Sequence, residues 1–402
     1  MYKLKLCIKK CVDLILDYRS YQILKMQKKN ENKKEIKVLF ICQMPQLWDK
    51  LSGIYEKMLE IDVFSPYILA VPENIYDKSS NFCYEYFSRK YDHVIDSIEN
   101  GKWHNIKNGE YDYIFYQRPY DSKLPLIYRS SRLMKKGKIC YLAYGYLLSK
   151  TNEELCMDKA FFRNVYLYFA ENEYVKIYNQ KRFPKSHLDS IRKTVYTGYP
   201  ALMGMQVAYP NMSDRENEKI AIWTPRWTTN KKVGNSNFFE YKDNMLHFFV
   251  GRENIKLIFR PHPLMFDNFI KTGEMSSDEI EELKNIFHTA SNLELDLEAN
   301  YFKEFWESDF LITDISSIII EYLITGKPII YCETDVELND FMKEILSVCY
   351  CVRGWDELKN VMEELICGND FLRGDRERLA RKISRENDLG TVDRILNIIK
   401  ND

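Results

Sequence analysis

No apolar run in the sequence approaches the length of about 20 residues that is needed to cross a bilayer. The sequence also lacks the clean apolar centre and the small-residue cleavage site of a secretory signal. The 10 cysteines include no CxxC pair, so we expect reduced thiols in a cytoplasmic protein. A formal net charge of -1 provides no overall field that would attract nucleic acid, and we predict no nucleic-acid partner.

Short motifs for several common chemistries are also absent. There is no GxxxxGK(S/T) phosphate-binding loop, no GxGxxG after the first apolar run, no HExxH helix and no GxSxG elbow. The 6 histidines show no metal-ligand spacing, and no DxD-like pair follows a predicted strand. We therefore predict no metal site and no separate cofactor.

The first 34 residues form a basic segment. Lys3, Lys5, Lys9 and Lys10 are interspersed with apolar residues, and residues 1–34 contain few acids. This pattern predicts a basic amphipathic helix that lies on an anionic membrane surface, which would place the protein on the inner face of the cell membrane. A solvated leader helix packed on the following domain fits the pattern equally well.

Apolar, β-branched runs alternate with helical stretches along most of the chain, which predicts βαβ units with parallel sheets. In the first half the predicted strands are Ile36–Cys42, Tyr67–Val71, Tyr113–Tyr116, Ile139–Ala143, Tyr166–Ala170 and Val195–Thr197. In the second half they are Ile220–Thr224, Ile255–Arg260, Phe310–Thr313 and Ile329–Tyr331. The segment 198–217 contains two prolines and two glycines and has a polar end, so we predict an interdomain linker there.

A chain of 402 residues is too long for one ordinary core and suits two domains. The predicted fold is α/β, with two Rossmann-like domains and a cleft between them. Its parts are a leader helix at 1–34, a first domain at 35–205, a second domain at 206–375 and C-terminal helices at 376–402. Because ligands of open α/β sheets sit at the carboxyl ends of strands, functional motifs are expected just after strands.

The motif FRPHP ends the predicted strand Ile255–Arg260. Its prolines stop the strand and hold His262 on a rigid turn beside the permanent charge of Arg260. Such a histidine can donate a proton to a leaving phosphate or stabilise its developing charge, and the planar fork of arginine suits phosphate. An isolated histidine would more simply bond a loop carbonyl, but the flanking prolines and arginine favour the functional interpretation.

The motif TDISS follows the strand Phe310–Thr313 and precedes an apolar helix that ends at Gly326. Ser316 or Ser317 is a natural N-cap, and the free N–H groups of a helix start suit a pyrophosphate. An ordinary capped turn is the alternative. Glu321, four residues after Ser317, could reach a ribose hydroxyl or be a solvated charge.

A third motif, WTPRW, ends the strand Ile220–Thr224. Arg226 and the following Lys231 and Lys232 could line donor phosphates, and Trp227 could wall the site. For the two lysines, an exposed basic loop is an equally good interpretation.

Taken with the segment GKPIIY, these three motifs resemble the donor domain of the CDP-glycerol glycerophosphotransferase family, which builds teichoic acids and phosphate-containing capsules. The start of the first domain, FICQMPQLWDKLSGIYEKML, is similar to a subgroup of that family. The resemblance implies a GT-B fold, a CDP-activated polyol phosphate donor and release of CMP. It further implies that His262 binds or protonates the leaving group and that Ser316 and Ser317 hold donor phosphate. Arg226, Arg260, Asp314 and Glu321 complete the predicted donor site.

One position departs from the family pattern. Teichoic acid members have a Trp-His-Gly motif whose histidine is the general base, whereas this sequence has Tyr144 there. A tyrosine with a pKa near 10 is a poor base at neutral pH. The base would then be another group, with Asp49 and Glu173 as candidates, or the acceptor would differ.

The predicted function is transfer of glycerol phosphate, or a related polyol phosphate, from a CDP-activated donor such as CDP-glycerol to a surface-glycan, teichoic-acid, capsule or lipid-linked acceptor. One alternative is a GT-B glycosyltransferase with a nucleotide-sugar donor. Another is a non-catalytic subunit of a glycan-assembly complex, which the tyrosine at position 144 suggests.

Overall fold

The structure is a computed structural model that describes residues 2–27, 33–207, 218–231, 234–298 and 300–402. The chain forms two compact units. Unit 1 comprises Met1–Tyr146, Glu154–Ala201 and Asn387–Asp402, and unit 2 comprises Leu147–Glu153 and Leu202–Glu386. The segment predicted as C-terminal helices, 376–402, is thus divided between the two units.

Unit 1 is built on a parallel sheet of seven strands. The strands of this unit are β1 Ile36–Cys42, β2 Phe64–Ala70, β3 Val94–Asp96, β4 Ile98–Glu99, β5 Lys102–Trp103, β6 Tyr113–Tyr116, β7 Lys138–Leu142, β8 Leu167–Phe169 and β9 Lys193–Val195. The sheet order is β3-β2-β1-β6-β7-β8-β9, and β4 and β5 form a separate antiparallel pair. The central strands are buried along nearly their whole length, which explains why they are continuous apolar runs in the sequence.

Unit 2 is built on a second parallel sheet, of six strands. Its strands are β10 Lys219–Thr224, β11 Ile255–Phe259, β12 Leu293–Leu295, β13 Phe310–Thr313, β14 Ile329–Cys332 and β15 Tyr350–Val352. Their order is β12-β11-β10-β13-β14-β15. A large aromatic core includes Trp223, Phe238 and Phe259; the Phe238 ring stacks on the other two, and the Trp223 and Phe259 rings are tilted by 36°.

Helices connect the strands of both sheets. In the first part of the chain they are α1 Tyr2–Met26, α2 Asp49–Leu59, α3 Phe82–Ser88, α4 Ser130–Leu133, α5 Lys150–Cys156, α6 Lys159–Phe162, α7 Glu173–Arg182, α8 Pro184–Leu188 and α9 Ala201–Val207. The second part has α10 Phe238–Phe249, α11 Met265–Thr272, α12 Ser277–Thr289, α13 Phe302–Glu307, α14 Ile318–Leu323, α15 Asp340–Leu346, α16 Gly354–Ile366, α17 Arg373–Glu386 and α18 Thr391–Lys400. Short 3-10 turns occupy Pro45–Leu47, Asp121–Lys123 and Leu126–Tyr128.

Helix α1 packs on unit 1 through ion pairs on one side. Asp13 lies 2.6 Å from Arg163, and Asp17 lies 2.8 Å from Lys159. Leu24 is buried on the same side. None of the helices in the described ranges is long and apolar enough to traverse a bilayer.

The predicted α/β architecture of two parallel-sheet units is confirmed. The chain passes from unit 1 to unit 2 between Ala201 and Leu202, within the predicted linker 198–217, and Ala201–Val207 form α9, which buries Leu202 and Met205. Gly204 permits this packing, since a Cβ at that position would lie 2.5 Å from Phe302. Residues 208–217 lie outside the described residues.

Candidate active site

The three sequence motifs meet at one edge of the unit 2 sheet. They follow β10, β11 and β13, and β10 pairs in parallel with both of the other strands. The strand order also reverses between β10 and β13, so this edge contains the topological switch point at which α/β proteins commonly bind ligands. The fold therefore brings Arg226, His262 and Ser316 to the same edge.

Arg226 is fixed by contacts with the loop after β13. Its backbone N–H donates to Asp314 Oδ2 at 2.9 Å, and its Nη1 donates to the carbonyl of Ile315 at 2.6 Å. Its Nε is buried and has no hydrogen-bond partner in the part of the chain that the structure describes. Burial lowers the pKa of Arg226, and the nearby Asp314 opposes that change. A rigid guanidinium with one unpaired N–H suits an anionic ligand.

Asp314 joins two loops, its own after β13 and the one between β10 and α10, instead of facing solvent. Its side chain is buried, and its Oδ2 also accepts from Ser236 Oγ at 3.1 Å and from the backbone N–H of Asn237 at 3.3 Å. Burial raises the pKa of Asp314 to about 6, and the hydrogen bonds and Arg226 limit the rise. Because protein groups already donate hydrogen bonds to the Asp314 carboxylate, the geometry supports a role for Asp314 in positioning Arg226.

Gly234 provides the space into which Arg226 packs, and the sequence analysis did not single it out. Its φ of +123° strains any residue with a side chain, and a Cβ there would lie 2.3 Å from Arg226 Nε. Asn235, the next residue, also has a positive φ, of 58°. The Gly-Asn pair is a turn signal that could have indicated this loop.

His262 is held in one tautomer. Its Nδ1 accepts a hydrogen bond from the backbone N–H of Leu264 at 3.1 Å, so in the neutral ring the proton is assigned to Nε2. Nδ1 therefore does not donate to a loop carbonyl, as the simpler interpretation of this histidine would require. The ring centroid lies 6.2 Å from that of Trp227.

The surroundings of His262 disfavour its charged form. Burial of the ring nitrogens lowers the pKa of His262 to about 4, and the positive charge of Arg226 adds to this effect. Much of the His262 side chain is exposed, so water weakens the first effect and repulsion by Arg226 persists. The free protein thus presents a neutral Nε2–H group at neutral pH.

Arg260 differs from Arg226 because its charge is already neutralised. Its Nη1 donates to Asp296 Oδ2, and its Nη2 donates to the carbonyl of Glu298 at 2.6 Å. The guanidinium also lies 4.8 Å from the centre of the Tyr301 ring. These contacts hold the turn after β11, on which His262 stands.

The two serines flank the start of α14. Ser317 is the N-cap residue, and its side chain makes no capping hydrogen bond. Ser316 Oγ accepts a hydrogen bond of 3.4 Å from the backbone N–H of Ile318. Both residues are half-buried, so their hydroxyl groups can reach a ligand at this edge.

Two further predicted residues have specific surroundings. Glu321 is buried and accepts a hydrogen bond from the Tyr301 hydroxyl, so the alternative of a solvated charge is wrong. Its contact with a ribose stays a prediction. Lys231 is exposed after β10, as a basic loop residue would be, and Lys232 lies outside the described residues.

At the carboxyl edge of the unit 1 sheet, Tyr144 lies in a cluster with Tyr120 and Cys156. The hydroxyls of Tyr144 and Tyr120 are 2.6 Å apart, and the Tyr120 hydroxyl lies 3.3 Å from Cys156 Sγ. Burial raises the pKa of Tyr144 to about 12. Tyr144 is therefore protonated at neutral pH and is not suited to act as a base.

The two carboxylates suggested as the base are both exposed. Asp49 begins α2 and lies 2.8 Å from Lys50, and Glu173 begins α7 and lies 2.9 Å from Lys176. Each is solvated and has a lysine beside it, so neither lies in the buried, unpaired environment typical of a catalytic base.

A surface pocket of about 650 Å³ lies elsewhere in unit 2. Phe310 and Pro328, which line it, mark the amino ends of β13 and β14, opposite the motif edge. Its lysines and arginines are largely engaged, for example Lys219 with Asp309 at 3.0 Å. This pocket is therefore separate from the candidate active site.

Solved structures with the same fold cover nearly all of the chain. A UDP-GlcNAc 2-epimerase from Neisseria meningitidis, bound to UDP-GlcNAc, has a TM-score of 0.57 at 13% identity, with 90% of this chain and 99% of that chain covered. The MnaA–UDP structure from S. aureus has a TM-score of 0.56 at 13% identity, with 92% and 96% covered. A variant of the wall teichoic acid polymerase TagF has a TM-score of 0.55 at 12% identity, with 99% and 97% covered. These likenesses confirm the predicted GT-B-like fold.

No curated protein matches the sequence. The sequence profile of the CDP-glycerol:poly(glycerophosphate) glycerophosphotransferase family matches residues 179–399. The matched range is more than half of the chain and contains all three motifs at the unit 2 edge. The chain therefore belongs to the CDP-glycerol:poly(glycerophosphate) glycerophosphotransferase family and is a transferase of that family.

Proposed function

We propose that the protein transfers glycerol phosphate, or a related polyol phosphate, from a CDP-activated donor to a hydroxyl of a teichoic-acid, capsule or other surface-glycan acceptor. CMP is the second product. The observation that carries the proposal is the family match over residues 179–399, which includes every predicted donor-site residue from Arg226 to Glu321.

The reaction is a displacement at the β-phosphorus of the donor. The acceptor hydroxyl oxygen forms a new bond to that phosphorus, and the bond between the phosphorus and the bridging oxygen breaks. The electron pair of the broken bond leaves with CMP, and the acceptor proton passes to a base. Because negative charge grows on the leaving phosphate, positioned donors at that phosphate lower the barrier.

Arg226 and His262 are the groups proposed to bind that phosphate. Arg226 offers the terminal guanidinium N–H groups that Ile315 does not accept, and His262 offers Nε2–H. A bound diphosphate raises the pKa of a neighbouring histidine, since a negative charge favours the protonated ring. His262 is thus a hydrogen-bond donor in the free protein and becomes a better acid when the donor binds.

Ser316 and Ser317 are proposed to donate hydroxyl hydrogens to the same diphosphate. Asp314 and Arg260 are proposed as positioning residues, because their contacts hold the loops that carry Arg226 and His262. The proposed base is a group other than Tyr144, whose raised pKa keeps it protonated.

The proposal includes a peripheral position on the cytoplasmic face of the cell membrane. On one side of helix α1, apolar side chains are exposed and do not pack on the rest of unit 1. Leu14 and Ile15 are each 68% exposed, and Val12 and Tyr18 are also exposed. Together with the many lysines of residues 1–34, this surface suits an anionic bilayer.

Sedimentation with phosphatidylglycerol vesicles tests this position. The wild-type chain should pellet with them and much less with neutral phosphatidylcholine vesicles, and a Leu14→Gln/Ile15→Gln variant should stay in the supernatant. Equal pelleting after deletion of residues 1–34 would contradict the proposal.

Calorimetric titration tests the donor assignment. CDP-glycerol, CDP-ribitol, CMP, UDP and GDP are titrated into the wild-type chain and into His262→Ala, and CMP release is then measured with an acceptor. A preference for CDP-polyols, with turnover at least about 100-fold lower in His262→Ala, supports the proposal. Binding of UDP or GDP alone would favour a glycosyltransferase, and binding of none would favour a non-catalytic subunit.

A further inference from the structure

Arg118 lies at the position in unit 1 that corresponds to the active-site edge of unit 2. It follows β6 by two residues, and the strand order of unit 1 reverses between β1 and β6. This is the topological switch point of the first sheet, where α/β folds bind ligands. Its sequence setting, an apolar strand followed by Gln-Arg-Pro, resembles the setting of Arg260.

The Arg118 guanidinium is held in place by a buried glutamine. Its Nη2 donates to Gln43 Oε1 at 3.0 Å. The Gln43 amide in turn donates to the carbonyl of Lys123 at 2.9 Å and to that of Pro72 at 3.3 Å. Gln43 itself is buried, so the contact that orients Arg118 is rigid.

No carboxylate in the described ranges forms an ion pair with Arg118. Its Nε is buried and has no acceptor among those residues. Arg260, which likewise follows a strand and precedes a proline, is by contrast paired with Asp296. An unpaired, partly buried cation with an unused N–H is costly unless a ligand completes it.

The exposed carboxylate of Glu73 acts on the charge of Arg118 without forming an ion pair with it, and the hydroxyls of Tyr144 and Tyr120 also lie near Arg118. The two hydroxyls share one hydrogen bond, which uses one of their two protons, and the second proton can be donated to Cys156 Sγ or to an anion. Arg226 in unit 2 shares the same features, namely a switch-point position and a buried, unpaired Nε. The two units thus present one such arginine each.

We propose that Arg118, with Tyr120 and Tyr144, forms a phosphate-binding site in unit 1 that takes a phosphate ester of the acceptor. The anion site stands on the geometry of unit 1 alone, whereas its assignment to the acceptor rests on the proposed function. It gives the acceptor's phosphate a binding group that is distinct from the donor residues of unit 2.

Titration of the full chain with glycerol 3-phosphate, followed by ³¹P NMR, tests the site. Arg118→Gln should weaken binding at least about 10-fold, because a bidentate charged contact is lost. Arg226→Gln, which alters the donor site, and Arg132→Gln, which alters an exposed arginine of unit 1, should leave the Arg118-dependent binding unchanged. Arg118→Lys, which keeps the charge but not the fork, should lie between Arg118→Gln and wild type.

Unchanged glycerol phosphate binding in Arg118→Gln, or binding lost only in Arg226→Gln, overturns the site. Inorganic phosphate and a short glycerol phosphate oligomer separate a general anion site from one that recognises the acceptor, since only the latter binds the oligomer more tightly. Calorimetry with CDP-glycerol keeps the two proposals distinct. If Arg118→Gln binds CDP-glycerol with unchanged affinity and also keeps an unchanged KM for the acceptor, the acceptor assignment fails and the donor assignment stands.

Discussion

Two arginines at the unit 2 edge differ in what surrounds their charge. Arg260 forms an ion pair with Asp296 and lies over the Tyr301 ring, whereas Arg226 keeps an N–H without a partner among the described residues. An arginine that is already paired stabilises a turn, and one that is unpaired can bind a phosphate. The position of an arginine after a strand is therefore not enough to tell a turn-stabilising residue from one that can bind phosphate. The distinction depends on whether the guanidinium already has a carboxylate partner.

His262 should act as a neutral group over the physiological pH range. The pKa of His262 is lowered from 6.5 to about 4 by burial and by Arg226, and because exposure of the side chain weakens the first effect, we take only the range from about pH 6.5 to 8 as one in which the ring stays neutral. The kcat/KM of the free protein should accordingly show no inflection from His262 in that range, while His262→Ala lowers kcat/KM at least about 100-fold. An inflection near pH 6.5 that disappears in His262→Gln would contradict this assignment.

Asp314→Asn should remove a pH dependence of stability. The folded pKa of Asp314, about 6, lies above its ordinary value of 3.8, so ionisation is disfavoured in the folded state. The stability that this group contributes is complete below about pH 4 and is lost as the pH rises through 6. Between about pH 4 and 8, the wild-type chain should lose about 2 kcal/mol more free energy of unfolding than Asp314→Asn.

Urea unfolding of the two chains at several pH values measures this difference. All other titrating groups are common to both chains, so the difference between the curves isolates Asp314. Parallel curves across the pH range would mean that the Asp314 carboxylate ionises as easily in the folded chain as in the unfolded one.

At the scale of elements, the candidate active site depends on the loop between β10 and α10. The turn at Gly234 and Asn235 has two positive φ angles and leaves room for Arg226 beside it. The segment that follows supplies Ser236 and Asn237, which both donate to Asp314. This loop thus sets the position of Arg226, the arginine proposed to bind phosphate.

Gly234→Ala should impair donor binding as well as stability. An added Cβ meets Arg226 Nε at 2.3 Å and must displace it, which we expect to weaken CDP-glycerol binding about 10-fold in calorimetry. Gly251→Ala is the matched control, because its φ is also positive, at +79°, but nothing lies within 4 Å of the new Cβ. Both variants should lose about 1 kcal/mol of stability. If the two variants bind CDP-glycerol with equal affinity, Gly234 is needed only for the backbone conformation of the turn and not for the position of Arg226.

The strands that the sequence predicted well are buried along both faces. β1, β6 and β13 match the predicted bounds because a run of apolar residues ended by polar or proline residues is visible locally. β3 was missed because all three of its residues are half-exposed, so no apolar run marks it. Apolar runs in the sequence identify buried strands, and they therefore miss an outermost strand such as β3.

The chemistry of the site was predictable only in part. The motifs after β10, β11 and β13 are local, and their meeting at one edge follows from the parallel topology. The contact of Arg260 with Asp296 spans 36 residues, and that of Arg226 with Asp314 spans 88. Such pairings depend on tertiary packing, so sequence analysis could not distinguish a paired arginine from an unpaired one.

At the scale of the whole molecule, the chain returns to unit 1 after completing unit 2. Residues 387–402 belong to unit 1, where α18 packs against α2. Asp402 is buried there and accepts hydrogen bonds from Lys138 at 2.6 Å, Lys193 at 2.5 Å and Tyr166 at 2.7 Å. The last helix of the chain is therefore part of the core of unit 1.

Asp402→Asn should destabilise unit 1 selectively. Burial raises the pKa of Asp402, but hydrogen bonds from Lys138, Lys193 and Tyr166 outweigh it and lower the pKa from 3.8 to about 2. The ionised pair thus stabilises the fold fully above about pH 4, and the contribution is lost as the pH falls through 2. Removing the charge leaves Lys138 buried without its counter-ion, which costs about 3 kcal/mol at neutral pH.

Amide hydrogen exchange measures this loss in each unit separately, which a single unfolding midpoint cannot do for a chain of two units. In Asp402→Asn, exchange should speed up in β7 and β9, which carry Lys138 and Lys193, and stay unchanged in β13 of unit 2. Asp393→Asn, an exposed substitution on α18, is the control and should alter neither strand. Faster exchange in β13 as well would mean that the two units unfold as one, so that the ion pair at Asp402 supports the whole molecule.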